Sequence, residues 1–319
     1  MTGSTEQAPD FFIVGQAKAG TTALYEMLRR HPQIFMPASK EPWFLADELL
    51  ERTPPRPEGT PRTLEEYLSW FAPAEPGQRR GEASALYLWS RTAAGHIAEL
   101  RPDARIIAIL REPASLLRSL HLQFVQTHVE TEHDLGKALA LEPARREGRQ
   151  IPSHTYWPKA LLYSEHVRYV EQLRRYRELL GAERMLVLLY DDFRRDNEAV
   201  VREVLRFLEV EERFEPEELQ ANPTVQARSR ALSELVHAVS VGRGPVSVAV
   251  KEAIKSVTPK PLRERALATV KRRLLYTDPA PPDELLTAEL RRRYEPEVRA
   301  LSEYLGRDLV ALWGYDRVP

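Results

Sequence analysis

Short apolar runs alternate along this chain with longer segments in which apolar residues recur every three or four positions. The clearest apolar runs lie at 11–14, 105–110 and 184–190, and each has the length of a buried strand. Helical spacing follows the first run at 23–30 and the second at 114–125. Buried strands that alternate with helices are typical of a parallel sheet covered on both faces. The pattern therefore predicts an α/β fold.

The same spacing predicts further helices at 160–180, 197–208 and 284–305. Thr63 is followed by Glu66 in the form of a capping box, which predicts the start of a short helix. Helices are thus expected along most of the chain, including its C-terminal part.

Composition limits the kinds of site that this fold can carry. The 319 residues include 46 basic and 47 acidic side chains, so the net charge of −1 gives no general attraction to nucleic acid or to an anionic membrane. Any anion site must come from local placement of charge. The sequence contains no cysteine, which excludes disulfides, thiolate metal sites and cysteine nucleophiles.

A glycine-bounded loop follows the first strand and reads Gly15, Gln16, Ala17, Lys18, Ala19, Gly20, Thr21, Thr22. Backbone N–H groups, the following helix N-terminus and a lysine together favour a bound phosphate. The glycine spacing is that of a Walker A motif, but Thr21 stands where the Walker lysine belongs and the lysine is at position 18. The loop is therefore poorly suited to nucleoside triphosphate hydrolysis. A plain turn between a strand and a helix is the alternative.

Arg111 ends the second strand, where a Walker B strand would carry a magnesium-binding aspartate. Its planar guanidinium suits a phosphate, and Ser119 on the following helix is placed to join it. On their own these residues also fit a plainer interpretation, in which Arg111 pairs with Glu112 and Ser119 is simply a polar helix residue. Because ligands bind beyond the carboxyl ends of parallel strands, we expect the segments after Val14 and Leu110 to form one site.

Together these motifs resemble those of the sulfotransferases that use 3′-phosphoadenosine 5′-phosphosulfate. The resemblance covers roughly residues 11–210 and is closest to the heparan-sulfate-type branch and its bacterial relatives. It extends to KEPWF at 40–44, GEASALY at 81–87 and YDDF at 190–193, with a weaker similarity at 309–313. It implies transfer of a sulfuryl group from this donor to a hydroxyl, with an amine as second choice, and without a metal.

The resemblance also implies roles for individual residues. The loop from Gln16 to Thr22 would bind the 5′-phosphosulfate, and Lys18 would neutralise charge on the leaving phosphate. Arg111 and Ser119 would bind the 3′-phosphate. Glu41 occupies the position of the glutamate base of this branch, and a surface ion pair with Lys40 is its plainer interpretation.

Three further assignments are open. Lys40 is a candidate for orienting the donor sulfonate. His121, two residues after Ser119, is a competing base because an imidazole also accepts a proton at neutral pH. Arg230, within Arg228-Ser229-Arg230, is a candidate for the 3′-phosphate, although an arginine pair is more often a solvated face. The eight histidines show no metal-ligand spacing with acidic partners, so we expect no metal.

The acceptor is constrained by one departure from the family pattern. The animal heparan-sulfate enzymes carry a lysine after the glutamate equivalent to Glu82, and this chain has Ala83 there. That lysine is associated with the polysaccharide acceptor, so we expect a small-molecule, lipid or glycoside acceptor instead. Two other functions remain as alternatives: a P-loop kinase or nucleoside triphosphatase with a degenerate loop, and a non-catalytic nucleotide-binding module.

We expect residues 1–10 to form a disordered tail and 11–319 to form a single domain. Within it, 11–210 would be a nucleotide-binding core on a P-loop-like central parallel sheet, and 211–319 a helical C-terminal part. The sequence shows no basic, apolar leader and no run of about 20 apolar residues, so a cytoplasmic protein without an integral membrane segment is expected.

Overall fold

A computed structural model describes residues 7–49, 59–153, 155, 157–212, 226–227, 276–277 and 281–317. The central sheet has five parallel strands in the order β2-β3-β1-β4-β5. They are β1 (Phe11–Gly15), β2 (Ile34–Phe35), β3 (Arg79–Ala83), β4 (Arg105–Leu110) and β5 (Met185–Leu189). A separate antiparallel pair joins β6 (Gln226–Ala227) to β7 (Tyr276–Thr277).

Helices connect and cover the strands. They are α1 (Thr21–Leu28), α2 (Leu64–Ser69), α3 (Ala93–Leu100), α4 (Pro113–Gln126), α5 (Leu135–Ala140), α6 (Glu142–Arg146), α7 (Tyr163–His166), α8 (Tyr169–Leu180), α9 (Tyr190–Arg195), α10 (Asn197–Phe207), α11 (Glu284–Leu305) and α12 (Leu309–Leu312). Single 3-10 turns lie at Asp47–Leu49, Pro158–Leu161, Ala182–Arg184 and Tyr315–Arg317.

The two faces of the sheet are buried against different sets of helices. Alternate residues of β1 point to opposite faces, with Phe12 and Val14 in one hydrophobic cluster and Phe11 and Ile13 in the other. The residues of β4 divide in the same way. A parallel sheet buried on both faces explains why these strands are apolar throughout. The predicted α/β fold with a helical C-terminal part is confirmed.

The starts of the predicted helices follow from their capping residues. The Glu112 carboxylate accepts hydrogen bonds from the N–H groups of Ala114 and Ser115, and Pro113 occupies the first helical position of α4. At α2, the Thr63 hydroxyl accepts from the Glu66 N–H at 3.1 Å. The Glu66 carboxylate turns to the N–H of Arg62, so the reciprocal half of the predicted capping box is displaced by one residue.

Three details differ from the sequence predictions. The helix predicted at 160–180 is divided into a 3-10 turn, α7 and α8. Strand β3 carries two arginines and a glycine and has no apolar run to reveal it. Residues 7–10 belong to the folded part rather than to the predicted tail, since Ala8 is fully buried and Asp10 bonds to β3.

The C-terminal residues 281–317 attach to the sheet where β4 and β5 end. Trp313 donates its indole N–H to Asp191 at 2.9 Å, and Arg307 forms an ion pair with Asp192. Glu112, next to Arg111, accepts a hydrogen bond of 3.0 Å from the Tyr315 hydroxyl. These contacts fix the C-terminal part beside the predicted site. Within the predicted helical C-terminal part, residues 213–225, 228–275 and 278–280 lie outside the described residues.

No helix in the described ranges is long and apolar enough to cross a membrane.

Candidate active site

The loop after β1 is shaped by two glycines. A Cβ on Gly15 would lie 2.6 Å from the Leu88 Cβ, so no larger residue fits there without displacing the chain. Gly20 has a φ of +93°, and a Cβ there would approach the Phe193 ring to 3.0 Å. Both glycines are therefore required by close packing and, at Gly20, by left-handed backbone.

The loop leads into the N-terminus of α1, where Gly20 is the N-cap and supplies no side-chain hydrogen bond. The first N–H groups of a helix have no intrahelical partner, so the N–H groups at Thr21 and Thr22 face outward from the helix end. The partial positive charge of the helix end adds to them. This uncapped terminus is suited to an anionic oxygen.

Two loop residues are bonded inside the protein. The Gln16 N–H donates to the Ile109 carbonyl at 2.7 Å, and its side-chain amide donates to the His166 carbonyl and to Gln172. The Ala19 N–H donates to the Gln16 carbonyl at 3.1 Å. The donors of Gln16 and Ala19 therefore hold the shape of the loop.

Arg111 meets the loop from the end of β4, as the rule for parallel sheets predicts. Its Nη1 donates to the Lys18 carbonyl at 2.8 Å, and its guanidinium lies 4.7 Å from the centre of the Tyr190 ring. The Tyr169 hydroxyl donates to the Arg111 carbonyl at 2.7 Å. Glu112 has turned away to cap α4, so the predicted alternative of an Arg111–Glu112 pair is not formed.

Three cations converge at this loop. Burial lowers the pKa of Lys18, and the nearby charges of Arg111 and then Lys40 lower it further. Burial also lowers the pKa of Arg111. Like charges that are held together and partly removed from water are stabilised by a bound anion, because the anion replaces both the lost solvation and the missing counter-charge.

Lys40 links this cluster to Glu41. The Lys40 ammonium donates to the Thr22 hydroxyl at 3.1 Å, to the Thr21 hydroxyl at 3.4 Å and to the Glu41 carboxylate at 2.9 Å. Glu41 has a φ of +62° and Lys18 a φ of +66°, a backbone conformation that costs energy in residues other than glycine. The ion pair predicted as the plainer alternative for Glu41 is therefore present, but it lies at the loop rather than apart from it.

His121, Ser119 and Arg230 are placed differently. His121 is buried on α4, where Nδ1 is bonded to the Tyr163 hydroxyl at 2.9 Å and Nε2 to the His133 carbonyl at 3.1 Å. Burial lowers the pKa of His121. Ser119 is also buried on α4, with 2% of its surface exposed. Arg230 lies outside the described residues.

Glu82 lies behind the site and is a buried carboxylate. The sequence does not reveal that it is buried. It lies on β3 opposite Phe12 and is 2% exposed. Its Oε2 accepts hydrogen bonds from the Tyr67 hydroxyl at 2.6 Å and the Tyr87 hydroxyl at 3.2 Å. Burial raises the pKa of Glu82 to about 7, and the charge of Glu41 adds to the rise. Only its place in the GEASALY segment draws attention to it in the sequence.

Metal-binding side chains are not gathered at this site. Among the described residues, no group of three or more histidines, cysteines, aspartates or glutamates is placed to hold a metal ion. The charged groups at the loop include three cations and the carboxylate of Glu41. This set of side chains suits an anionic ligand.

Known proteins are similar to this chain in sequence and in fold. Carbohydrate sulfotransferase 15 of Mus musculus is 30% identical over 38% of this chain and 28% of its own length. Heparan sulfate glucosamine 3-O-sulfotransferase 3B1 of Homo sapiens is 28% identical over 35% of this chain and 25% of its own length. The chain therefore spans about a quarter of the length of these curated relatives.

A crystal structure of a sulfotransferase from Alicyclobacillus acidocaldarius superposes over 97% of this chain and 99% of its own, with a TM-score of 0.65 and 25% identity. The sequence profile of the Sulfotransferase family matches residues 9–216, which is more than half of the chain and includes β1 to β5 with the loop, Glu41 and Arg111. The resemblance seen in the sequence motifs is confirmed. The chain belongs to the sulfotransferase family.

Proposed function

We propose that this protein transfers a sulfuryl group from 3′-phosphoadenosine 5′-phosphosulfate to a hydroxyl of a small-molecule, lipid or glycoside acceptor. The observation that carries the proposal is the convergence of Lys18, Lys40 and Arg111 on the uncapped N-terminus of α1. A donor with a 5′-phosphosulfate and a 3′-phosphate presents several anionic oxygens, and the cations that would bind them come from three separate segments of the fold.

The residues of the loop fit such a donor. Lys18, with the N–H groups and hydroxyls of Thr21 and Thr22, would hold the 5′-phosphosulfate, and Arg111 would hold the 3′-phosphate. The bound donor supplies the sulfuryl group. Lys18 would stabilise the negative charge that grows on the phosphate oxygen as the group departs, which is where preorganised charge lowers a barrier most. Ser119 remains a weaker candidate than Arg111, because its hydroxyl lies in a buried position.

Glu41 is the proposed general base. Its carboxylate is held at the loop by Lys40, which places it beside the α1 terminus where the sulfuryl group would lie. Its task is to take the proton from the acceptor hydroxyl. Both ring nitrogens of His121 are bonded inside the protein, which favours Glu41 over His121 for this role.

The donor assignment is tested by thermal-shift titration with adenosine 3′,5′-bisphosphate, ATP and 5′-AMP. At 100 times its dissociation constant, the bisphosphate should stabilise the protein by about 2.7 kcal/mol. Stabilisation by ATP with magnesium-dependent turnover, and none by the bisphosphate, would favour a kinase or nucleoside triphosphatase and refute the proposal.

The reaction is tested with ³⁵S-labelled donor and a panel of a phenol, a sterol, a long-chain alcohol and a monosaccharide. Transfer of label to at least one alcohol is expected. Glu41→Gln should retain donor affinity and lose turnover, whereas Glu65→Gln, an exposed position on α2, should retain both. Donor binding without transfer to any acceptor would indicate a binding module. Turnover that survives Glu41→Gln would return the role of base to His121.

A further inference from the structure

The segment that carries the proposed base, residues 40–45, has little regular structure of its own. We call it the Glu41 loop. Its backbone is left-handed at Glu41 and again at Trp43, where φ is +50°. A segment with this conformation keeps its shape only if neighbouring groups hold it. Two of the contacts that hold it lead, through Tyr67 and Tyr87, to one side chain on the adjacent strand, Glu82.

We propose that Glu82 is the positioning residue that sets the Glu41 loop against the donor site. The inference rests on the proposed role of Glu41 as base. Glu82 touches neither donor nor acceptor in this scheme. It acts through two tyrosines, each of which bonds to its carboxylate and contacts the loop.

Tyr87 forms the first connection. Its hydroxyl accepts a hydrogen bond of 3.1 Å from the Leu45 N–H and donates one of 3.2 Å to Glu82 Oε2. A hydroxyl rotates freely and has one proton to donate. Because the Tyr87 hydroxyl donates its hydrogen bond to the carboxylate, the lone pairs of its oxygen remain directed at the Leu45 N–H. Glu82 therefore fixes the end of the Glu41 loop through the orientation of one hydroxyl.

Tyr67 forms the second connection. Its hydroxyl donates to the same Oε2 atom at 2.6 Å, and its ring stacks on the Phe44 ring with centroids 4.7 Å apart. At the start of the loop, the Glu41 N–H donates to the carbonyl of Ala83, the residue after Glu82, at 3.0 Å. The start of the Glu41 loop is thus bonded directly to residue 83 of β3, and its middle and end are connected to Glu82 through the two tyrosines.

Among the described residues, Glu82 has no cation that would account for a carboxylate here, and besides the two tyrosines the Ser84 hydroxyl is close enough to lower its pKa. Within the part of the chain that the structure describes, no lysine or arginine pairs with it, and its Oε1 has no hydrogen-bond partner. An unpaired buried carboxyl costs stability, and an apolar side chain would pack more favourably. What a glutamate contributes at this position is an acceptor for the two tyrosine hydroxyls, and through them it holds the Glu41 loop.

The first test measures hydrogen exchange of the peptide spanning residues 41–46 by mass spectrometry, without any ligand. Tyr87→Phe leaves the Leu45 N–H without its acceptor, so exchange in this peptide should accelerate by about ten- to hundredfold. Tyr176→Phe is the control, because its equally buried hydroxyl donates to the Tyr87 carbonyl at 2.7 Å and not to the loop. Equal acceleration in both variants would overturn the proposal.

The second test separates positioning from catalysis and from general destabilisation. Glu82→Gln keeps an oxygen that accepts both tyrosine bonds and should retain most of kcat, whereas Glu82→Ala should lower kcat at least tenfold. Affinity for adenosine 3′,5′-bisphosphate should stay within about twofold in both variants, because the donor loop is held by other contacts. If Glu82→Gln and Glu82→Ala lower kcat equally, or if both lower the affinity for adenosine 3′,5′-bisphosphate, Glu82 does not act through the Glu41 loop.

The two tests also separate this inference from the proposed function. If the wild-type protein transfers no sulfuryl group but the exchange of residues 41–46 accelerates in Tyr87→Phe and in Glu82→Ala and not in Tyr176→Phe, the proposed function fails and the connection to Glu82 stands. If transfer occurs and depends on Glu41 but the exchange results fail, the function stands and the role of Glu82 is refuted.

Discussion

Replacing Glu82 with glutamine should change how the stability of the protein depends on pH. The pKa of this carboxyl is raised from 4.5 to about 7 in the folded protein, because burial disfavours its charged form. One pKa unit corresponds to 1.36 kcal/mol, so the shift is equivalent to about 3 kcal/mol. Glutamine has no proton to lose, and Glu82→Gln removes this entire contribution.

The sign follows from which state holds the proton. Below pH 4.5 the carboxyl is protonated in both the folded and the unfolded chain. Between pH 4.5 and 7 the unfolded chain has lost the proton while the folded chain retains it, so stability falls as the pH rises. Above about pH 7 both states are ionised and the loss is complete. The free energy of unfolding of Glu82→Gln minus that of the wild type should therefore rise by about 3 kcal/mol across this range.

Urea unfolding at pH 4.5, 5.5, 6.5 and 7.5 measures this difference, since titrating groups common to both proteins cancel. Glu65→Gln is the control, because removing an exposed carboxylate reports the effect of charge alone. Parallel stability curves for Glu82→Gln and the wild type would show that Glu82 has the same proton affinity in both states, and would refute the reasoning from burial.

Three further predictions concern the site and its support. Arg111→Ala should weaken the binding of adenosine 3′,5′-bisphosphate by about ten- to hundredfold in calorimetry and weaken the binding of 5′-AMP less, and equal losses would contradict the role at the 3′-phosphate. Lys18→Ala should lower kcat by about 10²- to 10³-fold, and EDTA should leave wild-type transfer unchanged. Arg145→Met should destabilise the protein by about 3–5 kcal/mol, measured by urea unfolding, because it leaves the fully buried carboxylate of Glu130 without its cation. A loss below about 1 kcal/mol would contradict this.

Two of the strands that the sequence predicts, β1 and β4, have uniform surroundings. In β1 and β4 every residue from Phe11 to Val14 and from Ile106 to Leu110 is buried, so an apolar run identifies them. Strand β3 lies between two other strands yet begins with two arginines and contains a buried glutamate. Its place in the sheet depends on pairing with the neighbouring strands rather than on its own side chains. The local pattern of apolar residues therefore does not predict it.

The candidate site was predictable where chain geometry alone brings residues together. Strand ends of a parallel sheet share one edge, which is why Lys18 and Arg111 were expected to meet. The inward turn of Gln16 depends on α8, more than 150 residues away, and the bonding of both His121 nitrogens depends on Tyr163 and the His133 carbonyl. Contacts across such sequence distances leave no trace in the spacing of residues within one motif.

The attachment of residues 281–317 has a consequence for the order in which the protein is made. The strands, the loop and Arg111 leave the ribosome first. Glu112, Asp191 and Asp192 can form their contacts only after the residues that bond to them have been made, which are Tyr315, Trp313 and Arg307 in that order. The contacts of Glu112, Asp191 and Asp192 are thus completed only when residues 307–315 have emerged. We expect ribosome-stalled nascent chains that expose only residues 1–280 to bind adenosine 3′,5′-bisphosphate more weakly than the released protein.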